Sequence, residues 1–172
     1  MKMNRKGYYM ELRNKILNAI SKNSKITNED LAVMLGIKKE VIDAEITAME
    51  QEKIICGYPT LINWENSDCE KVTALIEVKV TPQRGMGFER IAERIYKFEE
   101  VESVYLMSGG FDLAVMIVGK NMQEISNFVW NKLAPLESVT STSTNFVLKK
   151  YKEHGMALVD NVKDDERMLI TP

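Results

Sequence analysis

The sequence predicts an α+β chain in two parts: an N-terminal winged helix-turn-helix and a C-terminal ferredoxin-like βαββαβ sandwich. Three observations carry this. Two helical stretches, one capped by Thr27 and one starting near Lys38, flank a single glycine, Gly36, the helix-turn-helix pattern. The apolar period changes after a polar stretch at 63–70. The elements beyond that stretch read β-α-β-β-α-β. The expected organisation is residues 1–63 as the winged helix-turn-helix, 64–70 as linker, 71–152 as the ferredoxin-like domain and 153–172 as an acidic tail.

The first helix is expected from about Met10 to Lys22, with Leu12, Ile16, Leu17 and Ile20 on one face. Thr27 reads as the N-cap of a second, short helix whose first turn holds Glu29 and Asp30, where carboxylates suit the helix dipole. Leu31, Ala32 and Leu35 form its apolar face, and Gly36 ends it as a residue tolerant of positive φ. Ile37 follows as a plug. A third helix begins near Lys38 and buries Val41, Ile42, Ile46 and Met49. The segment Ile54–Ile62 is rich in β-formers with Gly57 and Pro59 between them, and is expected to form a small β-wing.

In the second part, Val72, Ala74, Ile76, Val78 and Val80 alternate as a half-buried strand. The stretch 81–87 is a loop. Phe88, Ile91, Ala92, Ile95 and Phe98 stripe a helix; 101–107 is a strand, Ser108–Phe111 a turn, and 112–119 an apolar central strand. Met122, Ile125, Phe128, Val129, Leu133 and Leu136 stripe a second helix, and 138–151 is a long, β-branched last strand. "RMLITP" at the end of the chain offers a further edge strand. A sheet with helices on one face leaves the other in need of cover, and a second copy of the same sheet supplies it, so a homodimer is expected.

Composition excludes much chemistry. There is one histidine, His154, and two cysteines, Cys56 and Cys69. Serine–histidine, cysteine–histidine and histidine–metal constellations are therefore not expected, nor is a zinc site or a disulfide framework; the cysteines read as reduced thiols in a cytoplasmic protein. No apolar run reaches membrane-spanning length and no basic-then-apolar leader is present, so neither a membrane partner nor a signal peptide is expected.

The net charge of −2 is unevenly spread. Residues 1–25 hold seven Lys/Arg (Lys2, Arg5, Lys6, Arg13, Lys15, Lys22 and Lys25) against Glu11, a net +6, whereas residues 26–62 are net −4. A basic arm suits a nucleic-acid backbone, and equally a solvated helix face.

The turn Ser108-Gly109-Gly110-Phe111-Asp112 offers bare backbone N–H groups at two glycines and a carboxylate just beyond. Such a set matches both ends of an α-amino acid, with Thr140, Ser141 and Thr142 as neutral hydroxyls from a neighbouring subunit. The structural alternative is a plain hairpin turn, with Asp112 as its cap and the Thr/Ser run as a solvated strand face.

"VYLMSGGFDLAVMIVGK" (104–120), "LESVTSTSTNFVLKKYK" (136–152) and "LAVMLGIKKEVIDAEITAMEQEKIICGY" together resemble the leucine-responsive regulator (Lrp/AsnC) family of transcription factors, over residues 10–152. The resemblance implies a non-enzymatic protein that dimerises and assembles further, in many members into octamers. It also implies binding of promoter double-stranded DNA and of an amino acid or related metabolite between C-terminal domains. No other cofactor and no metal is expected.

One departure stands out. The family exposes basic residues across the middle of the third helix; here those positions are Asp43, Ala44, Glu45, Thr47 and Ala48. The expected DNA contacts are Lys38 and Lys39 at the helix start, with Glu40, Asp43 and Thr47 on or near the same face. Asp43 has Lys39 one turn before it, whereas Glu45 has no partner within its own helix. Two further readings follow: a sensor that acts without DNA, and a phosphate-handling enzyme built on Arg84 and its flanking glycines.

Overall fold

The computed structural model describes residues 5–81 and 87–159, with side chains from residue 9 onward. It divides into two units between Leu61 and Ile62.

The first unit is three helices. Helix α1 spans Arg5–Lys22, α2 Asn28–Leu35 and α3 Lys39–Gln51. Thr27 caps α2 as its sequence suggests: the hydroxyl accepts from the N–H of Asp30. Gly36 closes the helix at φ +65°, and its N–H and that of Ile37 return to Val33 and Ala32 carbonyls. A side chain at Gly36 would strain that left-handed turn, which sets the angle between α2 and α3. Leu12, Ile16, Leu31, Ile42, Ile46, Met49 and Ile55 form one apolar core, with Ile16, Leu31, Ile42 and Met49 completely buried.

The expected β-wing is not formed. No strand lies between α3 and residue 72 among the described residues. Lys53 takes positive φ, and the amides of Ile54 and Ile55 both turn back onto the Met49 carbonyl, which ends the helix. Two arms of three or four residues around Gly57 and Pro59 give too few ladder bonds to hold a hairpin, and Pro59 has no N–H to donate.

The second unit is a four-stranded antiparallel sheet in the order β2-β3-β1-β4, with two helices on one face. The strands are β1 Val72–Val80, β2 Val101–Leu106, β3 Leu113–Gly119 and β4 Val139–Phe146; α4 is Glu89–Tyr96 and α5 Met122–Phe128. This is the ferredoxin-like topology the sequence order predicts. Alternation places Ala74, Ile76, Val78, Leu113, Val115 and Ile117 under the helices, where they pack on Ile91, Ile95, Ile125, Phe128 and Leu133. The rings of Phe98 and Phe128 meet edge to face at 5.4 Å.

Helix α5 runs into a π turn at Val129–Leu133, closed by the Ala134 amide on the Val129 carbonyl. The last strand stops at Phe146 rather than 151. A small hairpin follows, Lys152–Glu153 (β5) against Met156–Ala157 (β6), turned by His154 and Gly155 at positive φ. It straddles the expected boundary at 152. The loop 82–86 with Arg84, and the segment "RMLITP", lie outside the described residues. No described helix is long and apolar enough to cross a membrane. Cys56 and Cys69 are exposed and free.

Candidate functional site

Helix α3 sorts its side chains onto three faces. Ile42, Ile46 and Met49 point into the core. One flank, with Asp43 and Glu50, turns toward α2 and Tyr58. Asp43 accepts from Lys39 Nζ at 2.9 Å and from Asn28 Nδ2 at 2.7 Å. Glu50 accepts from the Tyr58 hydroxyl at 2.7 Å. The Lys39 ammonium and the Asn28 amide hold Asp43 below the ordinary carboxylate range. Desolvation and the neighbouring Glu50 push the Tyr58 hydroxyl up to about 12.

The other flank faces α1. Arg13 donates through Nε to Glu45 at 2.7 Å and through both terminal nitrogens to Glu52, at 2.7 and 2.9 Å. The Glu45 side chain is only 14% exposed, against 38% for Asp43 and 48% for Glu52, so it is the best shielded of the three. Arg13 holds Glu52 below its ordinary range, and the two acids raise the guanidinium further still. The partner that Glu45 lacks within its own helix is therefore an arginine 32 residues earlier.

What remains outward is a stripe of Glu40, Ala44, Thr47 and Gln51, all exposed and spaced one turn apart. Lys38 stands at its head as the N-cap, with no side-chain capping bond. Lys39 sits beside it, tied to Asp43 and Glu29. So of the five expected contacts, Lys38, Glu40 and Thr47 lie on or at the head of the outward stripe. Lys39 is at the edge, and Asp43 is drawn sideways into α2. Of the basic arm, Arg13 is committed to α3 and Lys15 to Glu11, while Lys22 and Lys25 are exposed. The side chains of Lys2, Arg5 and Lys6 lie outside the described residues.

The turn in the second unit is a four-residue hairpin loop, Ser108–Phe111, closed by the Met107 amide on the Asp112 carbonyl at 2.8 Å. Gly109 and Gly110 are exposed, neither has positive φ, and a Cβ on either would meet nothing within 4 Å. Nothing in the described chain therefore demands glycine at these two positions.

Asp112 is not idle. Its Oδ2 accepts from the Val80 amide at 2.8 Å, and its own amide donates to the Val78 carbonyl. The β1–β3 ladder has ended at Val78–Leu113, so the carboxylate stands in for a missing backbone acceptor. On the far side of β1 the register slips: Lys79 pairs with Ser141 and Val80 with Val139, leaving Thr140 as the extra residue. The Thr140 hydroxyl donates to the Lys79 carbonyl at 3.1 Å. The end of β1 is gripped from both sides.

This geometry brings Asp112 and Thr140 to the same end of one sheet. Leu113, Val78 and Thr142 lie in one row across three strands, so the turn and Thr142 are separated by roughly 10 Å within a single chain. Thr142 pairs with the core-facing Val78 and is half-buried on the helix side, while Ser141 points to the opposite face. The three hydroxyls do not converge. A groove of about 500 Å³ lies elsewhere, between Glu100, Asn121, Asn127, Phe128 and Lys132, and none of the expected residues lines it.

The chain is similar to known proteins over most of its length. The model of the Lrp/AsnC ligand binding domain matches residues 73–157. An HTH-type transcriptional regulator of Bacillus subtilis (strain 168), YugG, is 47% identical over 163 residues, covering 94% of this chain and 98% of that protein. The leucine-responsive regulatory protein of Haemophilus influenzae is 30% identical over 141 residues, 81% of this chain and 83% of that one. Among solved structures, the regulator NMB0573 of Neisseria meningitidis in complex with L-Met superposes with a TM-score of 0.67 at 22% identity, covering 88% and 94% of the two chains. AsnC of E. coli gives 0.64 at 20% identity, covering 83% and 94%.

Proposed function

The chain belongs to the Lrp/AsnC family of helix-turn-helix transcriptional regulators, and from that membership we propose that it binds double-stranded DNA through α3 under the control of an amino acid or related metabolite. The observation that carries the DNA half is where α3's carboxylates go. Asp43, Glu45, Glu50 and Glu52 are each bonded sideways within the helical unit, so the outward face presents one carboxylate, Glu40. A helix that looks acidic in sequence is close to neutral where a duplex would meet it. Lys38 and Lys39 stand at its start, where helix-turn-helix proteins meet base edges.

The effector half rests on the turn Ser108–Asp112. Two glycines that the chain itself does not need leave backbone N–H groups open to a carboxylate, and the second oxygen of Asp112 is available to an ammonium. Hydroxyls from a neighbouring subunit would add to it, Thr140 and Ser141 rather than the inward-facing Thr142. The side of the sheet away from the helices carries Leu75, Met116, Val118 and Tyr105, which suits a second copy of the sheet in a homodimer, with octamers as the further step. The sensor acting without DNA is the second reading, favoured by the outward stripe itself, which beyond Lys38 and Lys39 carries Glu40, Ala44, Thr47 and Gln51 and no cation.

Fluorescence anisotropy on the DNA upstream of its own gene, at low salt with and without the common amino acids, tests the DNA half. Binding that weakens steeply with salt is expected. Absence of binding under both conditions leaves the sensor reading in its place. A thermal-shift screen against the same amino acids tests the effector half, with at least one stabilising ligand expected.

A further inference from the structure

The outward stripe of α3 has a chemistry of its own. Between Lys38 and Gln51 it holds Glu40, Ala44 and Thr47, exposed and spaced so that Ala44 and Thr47 are neighbours one turn apart. Neither can donate the bidentate bond by which arginine reads guanine. Both present a methyl group. Of the two lysines at the helix start, Lys39 is drawn aside by Asp43 and Glu29, which leaves Lys38 at the N-cap, one turn or more before Ala44 and Thr47. Arg13 of α1 has all three of its guanidinium nitrogens bonded to Glu45 and Glu52.

We propose that Ala44 and Thr47 form a methyl-reading patch, so that this protein recognises its DNA site through thymine 5-methyl groups in the major groove. Glu40, one turn earlier, accepts from a cytosine amino group beside them. The inference rests on the reading of α3 as the DNA-contacting helix and adds the base chemistry to it. It gives recognition a mainly apolar and shape-dependent character, with attraction to phosphate supplied separately by the residues before α2.

The test uses the full chain. Duplexes are selected from a randomised pool, and each thymine of the enriched site is then replaced by uracil, which removes only the 5-methyl group. Replacement at one or two positions should weaken binding roughly 4-fold per methyl group lost. In Thr47→Ser, which keeps the hydroxyl and removes the methyl, that penalty should vanish at one of those positions while the salt dependence stays as in the parent. If the chain enriches a site but uracil costs nothing at any position, or costs the same in Thr47→Ser, the methyl patch is overturned and the DNA reading stands. If no duplex is enriched at low salt, the DNA reading falls and this inference falls with it. Ser is compatible with an exposed helix position, so loss of fold does not confuse the comparison.

Discussion

Nε of Arg13 lies 2.7 Å from Oε2 of Glu45, and the same guanidinium closes a two-nitrogen bridge to Glu52. A residue that sequence counts toward a DNA-binding basic arm is thus occupied inside the protein, where it fixes α3 against α1. One positive charge of α1 is met there by two carboxylates, Glu45 within α3 and Glu52 at its end.

Arg13→Met should lower the thermal midpoint of the helical unit, because it leaves the shielded Glu45 without its donor. Adding Glu45→Met should recover part of the loss, since the apolar pair removes the stranded carboxylate. The check is a double-mutant cycle by chemical denaturation. Strict additivity would show that the bridge does not couple the helices.

Acid should weaken the same unit. Glu52 is held low by Arg13 and Asp43 by Lys39 and then Asn28. A carboxyl with a depressed folded value stabilises fully above its unfolded value, near 4, and loses that contribution as pH falls through the folded value. The melting temperature should therefore be level from neutral pH to about 5 and fall below about 4. High salt should blunt the effect, since these pairs are solvent-exposed.

Asp112 makes one bond, to the Val80 amide, and is proposed to make another, to a ligand ammonium; substitution separates the two. Asp112→Ala removes the acceptor for the Val80 amide and should cost about 1 kcal/mol of domain stability as well as the amino-acid response. Asp112→Asn keeps an oxygen for Val80 but no charge for an ammonium. It should retain most of the stability and lose the response. Thermal shift with and without ligand reads both; a full response in the asparagine variant would remove the ammonium contact.

Gly109→Ala and Gly110→Ala should leave the stability of the domain within about 0.5 kcal/mol of the parent, because the backbone and the surrounding space both accept a methyl group. Ligand binding or assembly should suffer instead. Calorimetric titration with the stabilising amino acid, alongside sedimentation, checks this.

Much of the fold is written locally. Thr27, Gly36 and the apolar phases of α2 and α3 identify the helical turn, and alternation in 72–80 and the apolar run at 113–119 mark the central strands. The Lys39–Asp43 pair follows from helical spacing alone. What could not be seen depends on contacts distant in sequence or on backbone irregularities. Arg13 and Glu45 are 32 residues apart and carry no shared pattern. The slip at Lys79 and Val80, beyond which Thr142 faces inward and Ser141 outward, leaves no mark on composition. The wing failed for a different reason: strand-forming residues at 54–62 have no partner strand long enough to stabilise them.

With the proposed effector bound at Asp112, the grip on the end of β1 would make its carboxylate a contested resource. One oxygen already serves the Val80 amide. A ligand ammonium content with the other oxygen leaves the strand as it is, but one that draws in both must release Val80. Ligands of the same charge but different reach would then differ in what they do to the fold, one acting as a silent occupant and the other as a signal.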